Sequence, residues 1–177
     1  STYMSRNVSD RLQSIFKNDR KQFEQKWDDL QLFMHYGLLT QEDFYDKASK
    51  FALLQDTDGT KYTYEEYNKL IAGEQTDKEG NVIYLYSNDK EKEFSFIDNA
   101  KNKGYNVLLM DGQLDVALIS LLERKFEKAR FTRVDSDTVE NRIVKEEQKM
   151  SILAEHKSEV LTGIIESQLP QMEKRES

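Results

Sequence analysis

Val82-Ile83-Tyr84-Leu85-Tyr86 and, further on, Val107-Leu108-Leu109-Met110 are the two runs whose reading decides the fold. Each is short, apolar and flanked by turn-forming residues, the pattern of a strand buried on both faces. Between them Phe94, Ile97 and Ala100 recur at helical spacing with their side chains expected inward, and Gly104 supplies a stop. Beyond Asp111-Gly112, the residues Leu114, Ala117, Leu118, Leu121, Leu122 and Phe126 form a second helical stripe. Phe131-Thr132-Arg133-Val134 reads as a third, more polar strand, expected at a sheet edge. Strands alternating with helices of this length imply right-handed crossovers and a small parallel sheet. The expected class is α/β, with its compact unit over residues 81–135.

Upstream the periodicity is helical. Val8, Leu12, Ile15 and Phe16 mark one helix face, and Asn18-Asp19 is a natural N-cap before Phe23, Trp27, Leu30 and Phe33. Gly37 is expected to end that helix in a left-handed conformation, and Thr40 to cap the next, with Phe44, Ala48 and Phe51 inward. Asp56-Thr57-Asp58-Gly59 reads as a turn. Thr63-Tyr64-Glu65-Glu66 has the spacing of a capping box that opens a short helix stopping near Gly73. Residues 1–75 are therefore expected to be helical, in short pieces, and Asp77-Lys78-Glu79-Gly80-Asn81 is the break before the sheet.

Downstream, residues 136–177 read as helices. Asp137-Thr138-Val139-Glu140 opens one that runs into the charged stretch Lys145–Lys149, and Val160, Leu161, Ile164, Ile165 and Gln168 trace another that Pro170 ends. The last apolar stripe has no partner in its own neighbourhood. It suits a helix that packs on a further part of a longer protein, or a helical adaptor that binds a partner.

Composition narrows the function. Lys plus Arg number 26 against 33 Asp plus Glu, a net charge of -7, which argues against nucleic acid because phosphate contacts need a clustered positive surface. The one local basic stretch, Arg124 to Arg133, reads as a solvated helix end running into an edge strand. With no cysteine there is no disulfide framework and no thiolate chemistry, which fits the cytoplasm. No apolar run approaches the ~20 residues that span a bilayer, so no membrane role is expected. The start, Ser1-Thr2-Tyr3, lacks both a signal-peptide core and an initiator Met, and the chain is expected to be a fragment.

Self-contained chemistry is hard to find. A parallel sheet invites nucleotide binding, but the first turn after a strand, Ser87-Asn88-Asp89-Lys90-Glu91, has no glycine and two carboxylates that would repel a phosphate. That weighs against the alternative of a small-molecule-binding α/β enzyme domain. Asp56, Asp58, Gly59 and Glu65 resemble part of a calcium loop whose leading position is Leu54, so a turn is the better reading. His35 and His156 stand on separate helices, where a capping or surface role is expected for each. No catalytic, cofactor-binding or metal-ligating residue is expected.

Three stretches carry a family resemblance: Asp19 to Leu39, which runs through Lys-Trp-Asp-Asp-Leu-Gln-Leu-Phe-Met-His-Tyr-Gly; Val82 to Leu122, with Ile-Tyr-Leu-Tyr, then Lys-Asn-Lys-Gly-Tyr-Asn-Val-Leu-Leu-Met-Asp and Leu-Asp; and Phe126 to Val134, ending in Phe-Thr-Arg-Val. In this order they resemble the middle domain of the bacterial ninety-kilodalton heat-shock chaperones over about residues 2–140, and Met150 to Pro170 resembles the opening of that family's C-terminal domain. The resemblance implies that residues 1–75 are the closing helix of a larger unit plus a helical connector. Residues 81–135 would be a smaller αβα unit, and 136–177 a linker helix and the start of the next domain. It implies a parent that is an ATP-dependent, homodimeric clamp, with ATP and Mg bound in another domain, dimer contacts beyond Pro170, and unfolded or partly folded proteins as clients.

The family's catalytic arginine loop lies just upstream of this chain. Ser5-Arg6-Asn7 echoes it but lies on the following helix, so Arg6 is given no catalytic role and the piece itself is expected to be neither an ATPase nor a dimer. Relatives hold clients through an acidic residue and a tryptophan on the helix after the Leu-Asp pair. Here those positions are Val116 and Ala117, which with Ser120 are the candidate client contacts, although the aromatic anchor is missing. Packing of Ala117 against the sheet is the plain alternative.

Overall fold

Helix α1 (Thr2–Asn18) directs Leu12 inward, with Val8, Ile15 and Phe16 half-buried beside it. The computed structural model describes residues 2–137 together with 139 and 143, all within a compact unit that ends at Ile143. The expected helix after 137, the run Lys145–Lys149, His156 and the stripe that Pro170 ends lie outside the described residues. Asp19 caps α2 (Arg20–Gln25), its carboxylate accepting from the Gln22 amide at 3.1 Å. The single helix expected through Phe33 is interrupted at Lys26, and α3 (Trp27–Thr40) starts afresh. Phe23 and Trp27 are buried, Leu30 is half-buried, and Phe33 is exposed. The rings of Phe16, Phe23 and Phe51 meet at 5.6–6.1 Å, two of the three contacts edge-on, a geometry favoured by the ring quadrupole.

Two expectations at the end of α3 are corrected. Gly37 does not end the helix; it lies inside it, because a Cβ there would stand 2.7 Å from two ring carbons of Phe44. Only a residue without a side chain lets α4 (Glu42–Ala48) approach so closely. Thr40 caps nothing: its hydroxyl donates back to Tyr36 O at 2.7 Å, and Gln41 is the first residue of the next turn. Phe44, Ala48 and Phe51 are buried as expected.

The first 75 residues are not all helical. β1 (Leu53–Gln55) and β2 (Lys61–Thr63) form an antiparallel hairpin around the expected Asp56–Gly59 turn, in which Gly59 takes φ +87. The buried Asp56 carboxylate holds the hairpin together. Oδ1 accepts from the amides of Asp58 (2.9 Å) and Thr60 (3.0 Å), and Oδ2 from the Tyr62 hydroxyl (2.9 Å) and the Asn106 side chain (3.2 Å). Both Asp56 oxygens are thus engaged, and of the other carboxylates in the calcium-like pattern Asp58 pairs with Lys101 and Glu65 with Lys69. Helix α5 (Tyr64–Ile71) opens with a complete capping box between Thr63 and Glu66.

The sheet has the order β4-β3-β5, with β3 (Val82–Ser87) in the middle and parallel to both β4 (Val107–Leu109) and β5 (Ala129–Arg133). β5 is at an edge, as its polarity suggests. The alternation of side chains along β3 builds two cores. Ile83 and Leu85 face α6 (Phe94–Asn102) through Ile97 and Ala100, with Val107, Val134, Val139 and Ile143. Tyr84 faces the other way, into a larger cluster with Leu108, with Leu118 and Leu122 of α7 (Asp115–Lys125), and with Phe23, Trp27 and Tyr67 of the helical half. Phe94, expected inward, is 66% exposed at the first position of α6. Among the described residues no helix is long and apolar enough to cross a membrane.

Candidate interaction surface and the closed strand ends

The start of α7 is fixed by one carboxylate. Asp115, buried at the first helical position, accepts from the Gly112 amide at 2.8 Å, and a Cβ on Gly112 would meet that oxygen at 3.0 Å. From this anchor Leu118, Ile119 and Leu122 turn inward with Asp115 at spacings of three and four. Val116, Ala117 and Ser120 therefore face solvent, Val116 with 78% of its surface exposed. Ala117 does not pack against the sheet; Ile119 fills the place the stripe reading gave it. The three candidate contacts thus share one exposed side of the helix.

Further apolar surface was missed by the periodicity. Leu32, Phe33 and Tyr36 on α3, and Phe94 and Phe96 on α6, are exposed over half to two-thirds of their surface. The signal was available in the width of the apolar arc: Leu30, Leu32, Phe33, Met34, Tyr36, Leu38 and Leu39 circle α3 completely, more than one buried face can use. His35 is also corrected. It is 6% exposed, edge-on to Trp27 at 5.8 Å, with Nδ1 3.3 Å from Asp115 Oδ1, so it sits in the seam between α3 and α7 and caps no helix end.

Where an open parallel sheet would present a phosphate cradle, this one holds its own carboxylate. The strand order reverses direction at β3, so the place to look is beyond the ends of β3 and β5. There Glu93, 5% exposed, accepts from the Ser87 hydroxyl at 2.7 Å and from the Asn88 amide at 3.2 Å, and its second oxygen lies 3.5 Å from Arg133. Arg133 is further engaged by Asp135 at 2.7 Å. The amide that an anion would use is satisfied internally. Arg6 lies exposed on α1.

A second network, illegible in the sequence, stitches the helical half to the sheet. Gln75, 1% exposed, donates to Ile83 O at 2.8 Å and accepts from Asn106 N at 2.7 Å. Asn106 accepts in turn from the Tyr67 hydroxyl at 2.9 Å and donates to Asp56. Burial pushes the Tyr67 phenol well above its ordinary range, so it stays a donor.

Short helices and a hairpin packed on a small three-stranded parallel sheet make the fold of a heat-shock protein middle domain. The middle domain of a heat shock protein from Plasmodium falciparum superposes with a TM-score of 0.58 at 11% identity, covering 76% of this chain and 56% of that one. The sequence is far closer to bacterial relatives. It is 66% identical over 176 residues to chaperone protein HtpG of Bacteroides fragilis, 64% to that of Bacteroides thetaiotaomicron, and 51% over 175 residues to that of Porphyromonas gingivalis. These matches cover 99% of this chain but 26% of the relatives' length. No family model matches. The chain corresponds to a middle-domain segment of the HtpG chaperones.

Proposed function

We propose that this chain is the coupling segment of an ATP-dependent chaperone that assists protein folding, and that the outer side of α7 is part of its client surface. The observation that carries the reading is the single hydrophobic cluster running from Phe23 and Trp27 through Tyr67 to Tyr84 and Leu108. A rearrangement delivered to the helical half is passed to the sheet and to α7 without slack, because packed interiors shift as units. Residues 1–75 act as the end of a larger unit plus connector, 81–135 as the smaller unit, and 136–177 as the entry to a dimerising domain. ATP and Mg act in another domain of the whole protein, a cytoplasmic homodimer, and this segment neither hydrolyses nucleotide nor binds nucleic acid or membrane. Its partners are unfolded or partly folded proteins, met at Val116, Ala117 and Ser120.

The test is titration of the chain against a labelled, persistently unfolded protein, with and without Ala117→Asp. Ala117 is exposed, so the change leaves the fold intact. Saturable binding weakened about tenfold by one desolvated carboxylate is the expected result. Binding unaffected by the substitution removes α7 from the client surface, and no binding at all restricts the segment to mechanical coupling.

A further inference from the structure

We propose that the exposed side of α3 is a docking surface for a polypeptide segment whose apolar residues are flanked by lysine or arginine. The proposal rests on the reading of this chain as part of a chaperone, and it adds a second client contact to the one on α7. Leu32, Phe33 and Tyr36 share one side of the helix, at spacings of one, three and four residues, and all three are exposed. The core does not use them, because Trp27, Met34 and Leu38 supply the buried stripe of α3. Single apolar residues on a surface are ordinary, but three large ones on consecutive turns form a patch of the kind that marks an interaction site. Phe33 is held edge-on against Phe44 of α4, with ring centroids 6.2 Å apart, so part of the patch is ordered in advance of binding.

The charge around the patch selects its occupant. The first turn of α3 carries Asp28 and Asp29, and the helix has no lysine or arginine. Asp29 precedes Leu32 by three residues and Phe33 by four, which puts it on the apolar side. Helix α4 begins two residues after Thr40 with Glu42 and Asp43. Glu42 is held by Lys125, whereas Asp28, Asp29 and Asp43 make no ion pair among the described residues. Lys26, just before α3, leaves the balance negative. An apolar centre is therefore bounded by carboxylates at both ends. A second copy of the chain is a poor occupant, since a two-fold contact would set these same carboxylates against each other. Nucleic acid and anionic lipid are repelled in the same way, while a basic segment is attracted. Unfolded chains supply such segments, because natural sequences place charged residues beside their apolar runs. From Asp29 to Thr40 the helix rises roughly 16 Å, the reach of about five residues of extended chain. The fitting segment is a short apolar run with a cation at each end.

The probes are three dye-labelled peptides with the common core Leu-Ile-Phe-Val, flanked on both sides by Lys, by Ser or by Glu, and read by fluorescence anisotropy. The Lys-flanked peptide should saturate, the Ser-flanked one should bind about tenfold more weakly, and the Glu-flanked one more weakly again. Leu32→Gln combined with Tyr36→Gln changes two exposed positions to a good helix former. It should weaken the Lys-flanked peptide about tenfold with the thermal midpoint unchanged. Asp29→Asn combined with Asp43→Asn should reduce the Lys-flanked peptide to the affinity of the Ser-flanked one, a loss of preference that damage to the fold would not produce. The proposal is overturned if no peptide saturates, if the flanking charge makes no difference, or if both double variants bind as the parent does. Self-association in sedimentation velocity that Leu32→Gln with Tyr36→Gln abolishes would overturn it by giving the face to a second copy. Binding of an unfolded protein that Ala117→Asp weakens and the α3 variants leave unchanged would also overturn it, while leaving the client surface on α7 in place.

Discussion

Gly37 shows how one residue without a side chain sets the distance between two helices. Replacing it with Ala has two opposed effects. Helix propensity favours Ala by about 1 kcal/mol in a helix interior. Against that, the new methyl would meet the Phe44 ring, 3% exposed and held edge-on by Phe33, at 2.7 Å. Overpacking of this kind costs about 1–3 kcal/mol, so the steric cost wins. Gly37→Ala is expected to destabilise the chain by about 1 kcal/mol, seen as a lower urea midpoint with an unchanged slope. A raised midpoint would mean that α3 and α4 part easily. Sequence alone assigns this glycine to a helix end, since the glycine's partner ring becomes visible only once α4 has folded back.

At the scale of elements, the capping box of α5 is also a joint between helices. Glu66 accepts from the Thr63 amide and, through both oxygens, from Arg20 of α2 at 2.5 and 2.6 Å. The Arg20 guanidinium, ahead of the cap itself, holds the Glu66 carboxyl down at about 2 from an ordinary 4.5. Because the folded value is the lower one, this stabilisation is present in full above pH 4.5 and fades as pH falls towards 2. Both side chains are a third or more exposed, so after solvent screening the pair contributes about 1 kcal/mol. Glu66→Gln should therefore be less stable than the parent by about that much at neutral pH, with the gap closing between pH 4.5 and 2. Urea melts across that range check it, and a gap independent of pH would show the charge to be irrelevant.

The capping box, the α6 stop at Gly104, and all three parallel strands were legible in the sequence because each is a local pattern of turn residues and apolar runs. The β1–β2 hairpin was not, since strands of three residues are too short to show a period of two. The exposed trio on α7 could be named from the family pattern, but the side it faces depends on the Asp115 anchor. The anchor's contact with Gly112 is local, but its neighbour His35 comes from a distant part of the chain and leaves no local trace.

Across the whole molecule, the helical half and the sheet share one core, so they should unfold together. Trp27 is the sole tryptophan and is 1% exposed in the helical half, while Leu108 is wholly buried in β4. Leu108→Ala is expected to cost about 3 kcal/mol by lost transfer energy and the cavity left behind. The midpoint seen by Trp27 fluorescence should fall by the same amount as that seen by circular dichroism, which is the signature of one cooperative transition. A fluorescence midpoint that stays in place would separate the two halves and remove the basis for rigid coupling.

The parallel pairing of β3 with β5 also has a mechanical consequence. Five consecutive residue pairs, from Val82 with Ala129 to Tyr86 with Arg133, join the two strands in register. The chain enters β3 at Val82 from the helical half and leaves β5 at Arg133, so the two attachment points lie at opposite ends of the ladder. Opposed tension from those two ends runs along the strands, so the whole ladder is loaded in shear and must yield together. A hairpin pulled from its open end would instead unzip one rung at a time. The segment is thereby stiffest against tension applied along its strands.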